Sequence, residues 1–495
     1  MINRLKELLF QNKSTRQTIA KNIFWLSIGQ VGSRLIRAII IIYAARVLGA
    51  AEYGIFSYVL GLAGFFTIFA DLGVSPLMIR EIASYPEKRI IYFSNAFWIK
   101  TFLLAITATL IIFIAPKFSN IEEAVVLLPF VALLVIFDNL RDFTFAYFRG
   151  IEKMEREALL TVIMNASIAL TGFIILSFYQ TAGALLFSYI ASVAILSIVA
   201  FYFVKNIVKG IFKNFDKKIA LQFFHNCWPF AFTGLFGIFM LNIDIVMLGW
   251  WRTPEEIGYY SASQRIVQIL YTLPAILASA AFPAMARFIK QGELNRARNL
   301  NEKSIVILYL IAIPLTIGGI ILSAPLIKFV FGESYLPAIA SLQILIVTLL
   351  VQFPNAVLGN LIMAHNQQKK LVGYVITGSL SNIIFNTLLI PSFGISGAAI
   401  ATLISQLAYS SPVWLKIKQI GNFYTLRHLK KIIVSAIIMG FFSYILNKFG
   451  LNVIINIIIS SGIYFGALYT LKEDAINEIK DLFVKMKPQN NRLTE

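Results

Sequence analysis

The second half of the chain repeats the first. Leu48-Gly49 followed by Glu52-Tyr53-Gly54 returns as Leu248-Gly249 followed by Glu256-Ile257-Gly258, and the shift of 200 residues grows to 204 across a four-residue insertion in the connecting loop. Further along, Pro76 to Arg80 matches Pro283 to Arg287, and Gly183-Ala184 matches Gly397-Ala398, in the same order. A duplication that keeps order and spacing over this length restricts the fold to two similar bundles. If the duplicated elements are membrane helices, the result is the architecture of an alternating-access transporter, in which two like halves rock about a central site.

Composition puts those helices in a membrane. Hydrophobic residues make up 58% of the chain and charged ones 14%, against roughly 45–50% and 25% in soluble domains, and the mean hydropathy is +0.77. A crossing needs about 20 apolar residues. Fourteen such stretches are predicted, near 22–48, 53–79, 91–115, 122–148, 157–179, 182–204, 221–250, 257–286, 303–325, 337–364, 371–390, 395–415, 429–447 and 452–471. The fold class is therefore an all-α polytopic membrane protein. Residues 1–21 form an amphipathic surface segment, 22–210 a first six-helix bundle, 211–420 a second, 421–472 two additional helices and 473–495 a polar tail. Turn chemistry marks the seams, at Leu48-Gly49, Thr253-Pro254 and Pro391-Ser392-Phe393-Gly394 among others.

Charge orients the layout. With the N-terminus inside, the inner segments collect almost all the Lys and Arg, from Arg4 to Lys21, Arg80 to Arg89, Arg149 to Arg156, Lys205 to Lys218, Arg287 to Lys303, Lys369-Lys370, Lys416 to Lys431 and the tail. The outer loops hold only Lys117, Arg252, Lys328 and Lys448. By the positive-inside rule both termini are cytoplasmic and the chain sits in the plasma membrane. The formal net charge of +19 is then topology and attraction to anionic membrane lipid, and no nucleic-acid partner is expected. The single Cys227 excludes an intramolecular disulfide, and His225, His365 and His428 lie too far apart in sequence to suggest a metal site. No cofactor is expected.

Charges inside the spans need a reason, because one at mid-bilayer costs about 2.5–3.5 kcal/mol unless it faces water or a partner. Arg34 and Arg37 sit near the middle of the first span and, at spacing i,i+3, share a helical face. Arg46 and Lys100 lie close enough to a predicted interface to reach headgroups. Arg141 has Asp138 three residues before it and Asp142 beside it, the spacing of a structural ion pair within the first bundle. Asp244 in the seventh span lies near Arg265 in the adjacent hairpin, either as a static salt bridge or as an ion-coupling or gating site, and Asp71 follows the span that carries Arg34 and Arg37 as a second charge partner.

The string Ser33-Arg34, Ala45-Arg46-Val47-Leu48-Gly49-Ala50-Ala51-Glu52-Tyr53-Gly54 and the later Asn386-Thr387-Leu388-Leu389-Ile390-Pro391-Ser392-Phe393-Gly394-Ile395-Ser396-Gly397-Ala398-Ala399, with the duplicated layout, resemble the polysaccharide-exporter branch of the multidrug, oligosaccharidyl-lipid and polysaccharide flippase superfamily, and within it the O-antigen and capsule repeat-unit flippases of the Wzx type. The resemblance implies two six-helix lobes related by a pseudo-two-fold along the membrane normal. It further implies a cavity lined by the first, second, seventh and eighth spans. Arg34 and Arg265 match cavity arginines of the lipid II-flipping branch; Arg37 has no counterpart there.

The chemistry points the same way independently. Guanidinium forks bind phosphate oxygens bidentately and stay charged at physiological pH, so Arg34, Arg37 and Arg265 suit a polyprenyl-diphosphate-linked glycan. The expected function is a flippase carrying such an oligosaccharide to the outer leaflet for cell-surface polysaccharide synthesis. A coupling cation, H⁺ or Na⁺, and polymerase and chain-length proteins are candidate partners. The chain shows no Gly-rich loop ending in Gly-Lys-Ser/Thr, no His-Glu-x-x-His and no Gly-x-Ser-x-Gly, so it is read as a transporter rather than an enzyme. Alternatives are a lipid II flippase, a cation-coupled multidrug exporter, whose cavity favours carboxylates, and a membrane polysaccharide polymerase or glycosyltransferase, which usually needs larger polar loops.

Overall fold

The structure, a computed structural model, describes residues 15–365, 367–420 and 429–473. The surface segment expected before residue 15 and the tail from residue 474 lie outside the described residues. Among those described, all regular structure is helical, as it must be for apolar segments that have no water to satisfy their backbone groups. The helices are α1 (Thr15–Asp71), α2 (Val74–Ser84), α3 (Arg89–Thr109), α4 (Glu122–Gly150), α5 (Met154–Phe178), α6 (Ala182–Phe203), the one-turn α7 (Lys205–Val208), α8 (Lys217–Asn226), α9 (Trp228–Trp251), α10 (Pro254–Leu270), α11 (Thr272–Lys290), α12 (Leu294–Ile321), α13 (Ser323–Val330), α14 (Ile339–Val347), α15 (Leu349–Ala364), α16 (Gln368–Ile420), α17 (Leu429–Lys448) and α18 (Val453–Thr470).

Two of these run too long for one crossing, and both fold back at a glycine. α1 breaks at Gly49 (φ 73°, ψ 176°) and α16 at Gly394 (φ 57°, ψ −134°), backbone conformations that a residue with a Cβ rarely adopts. Asn386 and Thr402, on opposite sides of Gly394, both reach the Asp244 carboxylate at 2.7 Å. Along a straight helix they would stand about 24 Å apart. Arg252 closes this corner by donating to the carbonyls of Ile390 and Pro391 at 2.7 and 2.6 Å, which have no helical partner at a helix end. In α1 the argument is similar. Lys100 bonds both Asp71 and Asn139, while Arg37 lines a cavity with Arg141 from the same helix as Asn139. Residues 37 and 71 would lie roughly 50 Å apart in an unbroken helix, so the arms on either side of Gly49 return past each other.

Among the described residues eleven helices are long and apolar enough to cross a membrane, or twelve counting the bent pair Gly234–Met240 and Asn242–Trp251. Two of the eleven are the folded α1 and α16, so the count is compatible with the fourteen spans expected.

By contacts the chain forms two units. The first comprises residues 1–265, 331–338 and 375–405. In it the first arm of α1 lies along α5: Lys21 pairs with Glu155 at 3.1 Å, Gly29 abuts Ala158, and Gly172 abuts Ile40. The second arm packs on α9 and α10. A Cβ at Gly54 would stand 1.8 Å from the Pro254 carbonyl oxygen, and one at Gly258 2.1 Å from that of Ala50. These glycines hold equivalent places in the sequence repeat, and each admits the backbone of the other copy's hairpin, the close approach that small residues permit between membrane helices.

The second unit comprises residues 266–330, 339–374 and 406–495. Its apolar core joins Val306, Leu310 and Ile313 of α12 to Ile432, Ala436 and Met439 of α17 and Tyr464 and Leu468 of α18. The Tyr464 hydroxyl donates to the Leu310 carbonyl at 2.8 Å. Asn456 ties α17 to α18 through Ser443 and Ser460.

Candidate functional site

Three helices of the first unit build a polar cavity of about 260 Å³. The first arm of α1 contributes Leu26, Gly29, Gln30, Ser33, Arg34 and Arg37; α4 contributes Arg141, Asp142, Phe145 and Arg149; α5 contributes Glu157, Ala158, Thr161, Met164 and Asn165. Within each helix these positions recur every three or four residues, the period of one helical face. Gly29 matters to the geometry: a Cβ there would stand 2.9 Å from Ala158, so its absence lets α1 approach α5 and bring Arg37 to Asn165.

The charges divide into neutralised and open ones. Arg141 is buried and ion-paired to Asp138 and Asp142 at 2.7 Å each, with its guanidinium 5.4 Å from the centre of the Phe145 ring. Two carboxylates offset the desolvation of one buried guanidinium. Arg149 forks onto Glu157, with Nε donating to Oε2 at 2.8 Å and Nη2 to Oε1. Arg37 donates from Nε to Asn165 Oδ1 at 3.0 Å, and Asn165 is itself fixed by donating to the Thr161 carbonyl at 2.8 Å. Arg34 is exposed in the cavity. Among the described residues neither Arg34 nor Arg37 has a carboxylate partner. The lining therefore holds two arginines answered by carboxylates and two that remain available to an anion from outside.

Several expectations need correction. The resemblance implied walls from the first, second, seventh and eighth spans, whereas the cavity that carries Arg34 and Arg37 is lined by the first, fourth and fifth, and Arg265 is not among its lining residues. Lys100 does not reach for headgroups. It is 1% exposed and bonds Asp71 at 2.5 Å and Asn139 at 3.0 Å, because it faces the bundle interior, which its depth in the sequence did not reveal. Asp71 accordingly serves Lys100 and Ser75 rather than Arg34 or Arg37. Asp244 is 1% exposed, and its partners are neutral: Asn386 donates to Oδ1 at 2.7 Å, while Thr402 and Tyr260 donate to Oδ2 at 2.7 and 2.8 Å. The expected bridge to Arg265 is absent because the α16 hairpin supplies donors first.

The Lys100–Asp71 pair makes a stability prediction. Removing one partner of a buried pair leaves the other uncompensated, at about 3–5 kcal/mol. Lys100→Ala is expected to lower the unfolding temperature in detergent well below wild type, and a melting curve that overlays the wild type would show that the pair does not hold the first unit together.

Sequence reasoning also missed cavity residues. Arg149 and Glu157 were assigned to an inner loop and its edge by charge alone, although Arg149 follows Arg141 by eight residues and so shares its helical face. Asn165 carried no signal, since an amide in an apolar helix reads as packing until its partner is known.

Comparison with known proteins gives the family. A sequence profile described as polysaccharide biosynthesis protein matches residues 19–289, and one described as MatE matches residues 229–388. The chain is 24% identical over 447 residues to the probable low-salt glycan biosynthesis flippase Agl15 of Haloferax volcanii, covering 86% of this chain and 89% of that relative. It is 28% identical over 352 residues to a putative O-antigen transporter of Shigella flexneri, covering 68% and 82%. Among solved structures, a lipid II flippase MurJ in an inward closed conformation is similar with a TM-score of 0.77 at 18% identity, over 92% of this chain and 100% of that one. At that identity the likeness speaks for the fold alone. The first profile spans more than half of the sequence, and its description agrees with the relatives that match along most of their length. The chain is a multi-pass membrane protein of the polysaccharide biosynthesis family, in the polysaccharide-exporter branch of the multidrug, oligosaccharidyl-lipid and polysaccharide flippase superfamily.

Proposed function

We propose that the protein is a flippase, a transporter and not an enzyme, that moves a polyprenyl-diphosphate-linked oligosaccharide from the cytoplasmic to the outer leaflet of the plasma membrane. The observation that carries this reading is the pair Arg34 and Arg37: two guanidinium groups without carboxylate partners, in a cavity whose other arginines are neutralised. A sugar diphosphate loses its hydration in about 30 Å of hydrocarbon and does not cross unaided. Fixed guanidinium forks replace part of that hydration, each charge-assisted bond contributing about 1.5–3 kcal/mol. The prenyl chain needs no carrier and stays in lipid. Relatives named as glycan flippase and O-antigen transporter support a cargo of this class.

In this reading both termini are cytoplasmic, as the Lys and Arg bias of the loops requires, and the halves 22–210 and 211–420 rock about the site while 421–472 lies outside the repeat. Asp244, with Asn386, Thr402 and Tyr260 around it, is the coupling group: a carboxylate among neutral oxygens and amides offers a desolvated H⁺ or Na⁺ a counter-charge. Polymerase and chain-length proteins acting on the delivered glycan are the natural partners. The test is selective retention. Native mass spectrometry of the purified protein should show a polyprenyl-diphosphate oligosaccharide retained in preference to a polyprenyl monophosphate and a zwitterionic phospholipid; equal retention of all three would contradict a diphosphate site.

A further inference from the structure

Tyr189 lies on α6, 6% exposed, with its ring edge-on to Phe56 at 5.3 Å. Its hydroxyl is fully covered and has no hydrogen-bond partner among the described residues. The other hydroxyls on this helix are satisfied: Ser188 shares a hydrogen bond with Thr171 at 2.6 Å, and Ser192 accepts from Ser167 at 3.0 Å. A buried hydroxyl left unpaired destabilises a fold and calls for an explanation. The charged groups within electrostatic reach of this one are both cations, Arg37 and Arg265, and the neighbouring phenol is Tyr53. Tyr53 is itself 1% exposed with an unpartnered hydroxyl, whereas Tyr335, whose ring lies 6.3 Å from that of Tyr53, donates to the Ala45 carbonyl at 2.8 Å.

Two guanidinium groups and two orphaned hydroxyls thus gather in one part of the first unit. Hydroxyl donors beside cations have one natural common ligand, an oxyanion, whose oxygens accept from both. We infer that Tyr189 is a phosphate ligand, donating its phenolic proton in a hydrogen bond to an oxygen of a phosphoryl group held by Arg37 and Arg265, in a subsite beyond the cavity that contains Arg34. The inference rests on the reading of the cargo as a diphosphate and extends it. Arg265, which the cavity does not include, gains a role here, and Arg37 becomes the residue shared by cavity and subsite.

The test is Tyr189→Phe, which removes one oxygen and leaves the ring packing against Phe56 in place. Its melting temperature in detergent should equal or exceed that of the wild type, since an unpaired hydroxyl is lost. Its affinity for inorganic pyrophosphate by isothermal titration should fall about tenfold, the order expected for one charge-assisted hydrogen bond. Arg34→Ala is measured alongside. If Tyr189→Phe binds pyrophosphate as the wild type does while Arg34→Ala binds less, the subsite is overturned and the arginine cavity stands. If both bind as the wild type does, the diphosphate reading falls with it. A lower melting temperature for Tyr189→Phe would show that the hydroxyl has a structural partner and would also overturn the proposal.

Discussion

Arg34→Ala is expected to reduce flipping of a polyprenyl-diphosphate oligosaccharide by about a hundredfold or more while the protein inserts, folds and melts as the wild type does. The separation of effects follows from position. Arg34 is exposed in the cavity without a carboxylate partner, so its loss breaks no ion pair and should change stability by about 0.5 kcal/mol or less. Its contribution to the cargo is two charge-assisted bonds at about 1.5–3 kcal/mol each, and every 1.4 kcal/mol is about a factor of ten. Arg141→Ala should behave in the opposite way. It orphans Asp138 and Asp142, so its first effect is on stability. Flipping rates in proteoliposomes, set beside melting curves of the same preparations, distinguish the two. An Arg34→Ala protein that flips at the wild-type rate would remove the binding role.

Asp244→Asn should uncouple transport from any imposed H⁺ or Na⁺ gradient while leaving downhill exchange intact. Both carboxylate oxygens accept from neutral donors, Asn386 on one side and Thr402 and Tyr260 on the other. A bound cation competes with those donors for the same oxygens, and Thr402 and Asn386 lie on the two arms of the α16 hairpin, so occupancy changes how the arms are tied to α9. Only a ligand that binds two conformations unequally moves their equilibrium. An amide cannot accept at both positions. It presents an N–H to a donor on one side and loses the charge that would hold a cation. The gradient-driven component should therefore fall at least about tenfold, the factor set by a difference of 1.4 kcal/mol between states. A variant still driven fully by the gradient would make Asp244 a structural residue that ties α9 to α16.

The sequence made the spans legible because each feature that fixes them is local. Apolar length marks a crossing, and Gly49 and Gly394 mark corners because the chain needs a glycine conformation there. Arg34 and Arg37 were visible as one face because i,i+3 spacing is a property of a single helix, and Arg141 with Asp138 and Asp142 was visible for the same reason. What stayed hidden was which helix each face meets. Asp244 has partners 142 and 158 residues away, and no pattern within the seventh and eighth spans points to the α16 hairpin. Lys100 reads as interfacial from its depth and proves buried, because depth gives the cost of a charge and not the direction its side chain takes. Tyr189 left no trace at all. A tyrosine in an apolar helix is ordinary until its hydroxyl is found without a partner beside two arginines.

The central claim is that the cavity of α1, α4 and α5 carries a diphosphate-linked glycan across the membrane. Its most direct measurement uses vesicles reconstituted with a polyprenyl-diphosphate-linked oligosaccharide in both leaflets, to which a glycosidase that cannot enter is added. With wild-type protein the inner pool should become accessible and cleavage should run to completion, whereas with Arg34→Ala/Arg37→Ala, confirmed as folded and inserted, it should stop at the externally exposed half. Cleavage that stops at that half with the wild type, or runs to completion with the double variant, would contradict the account.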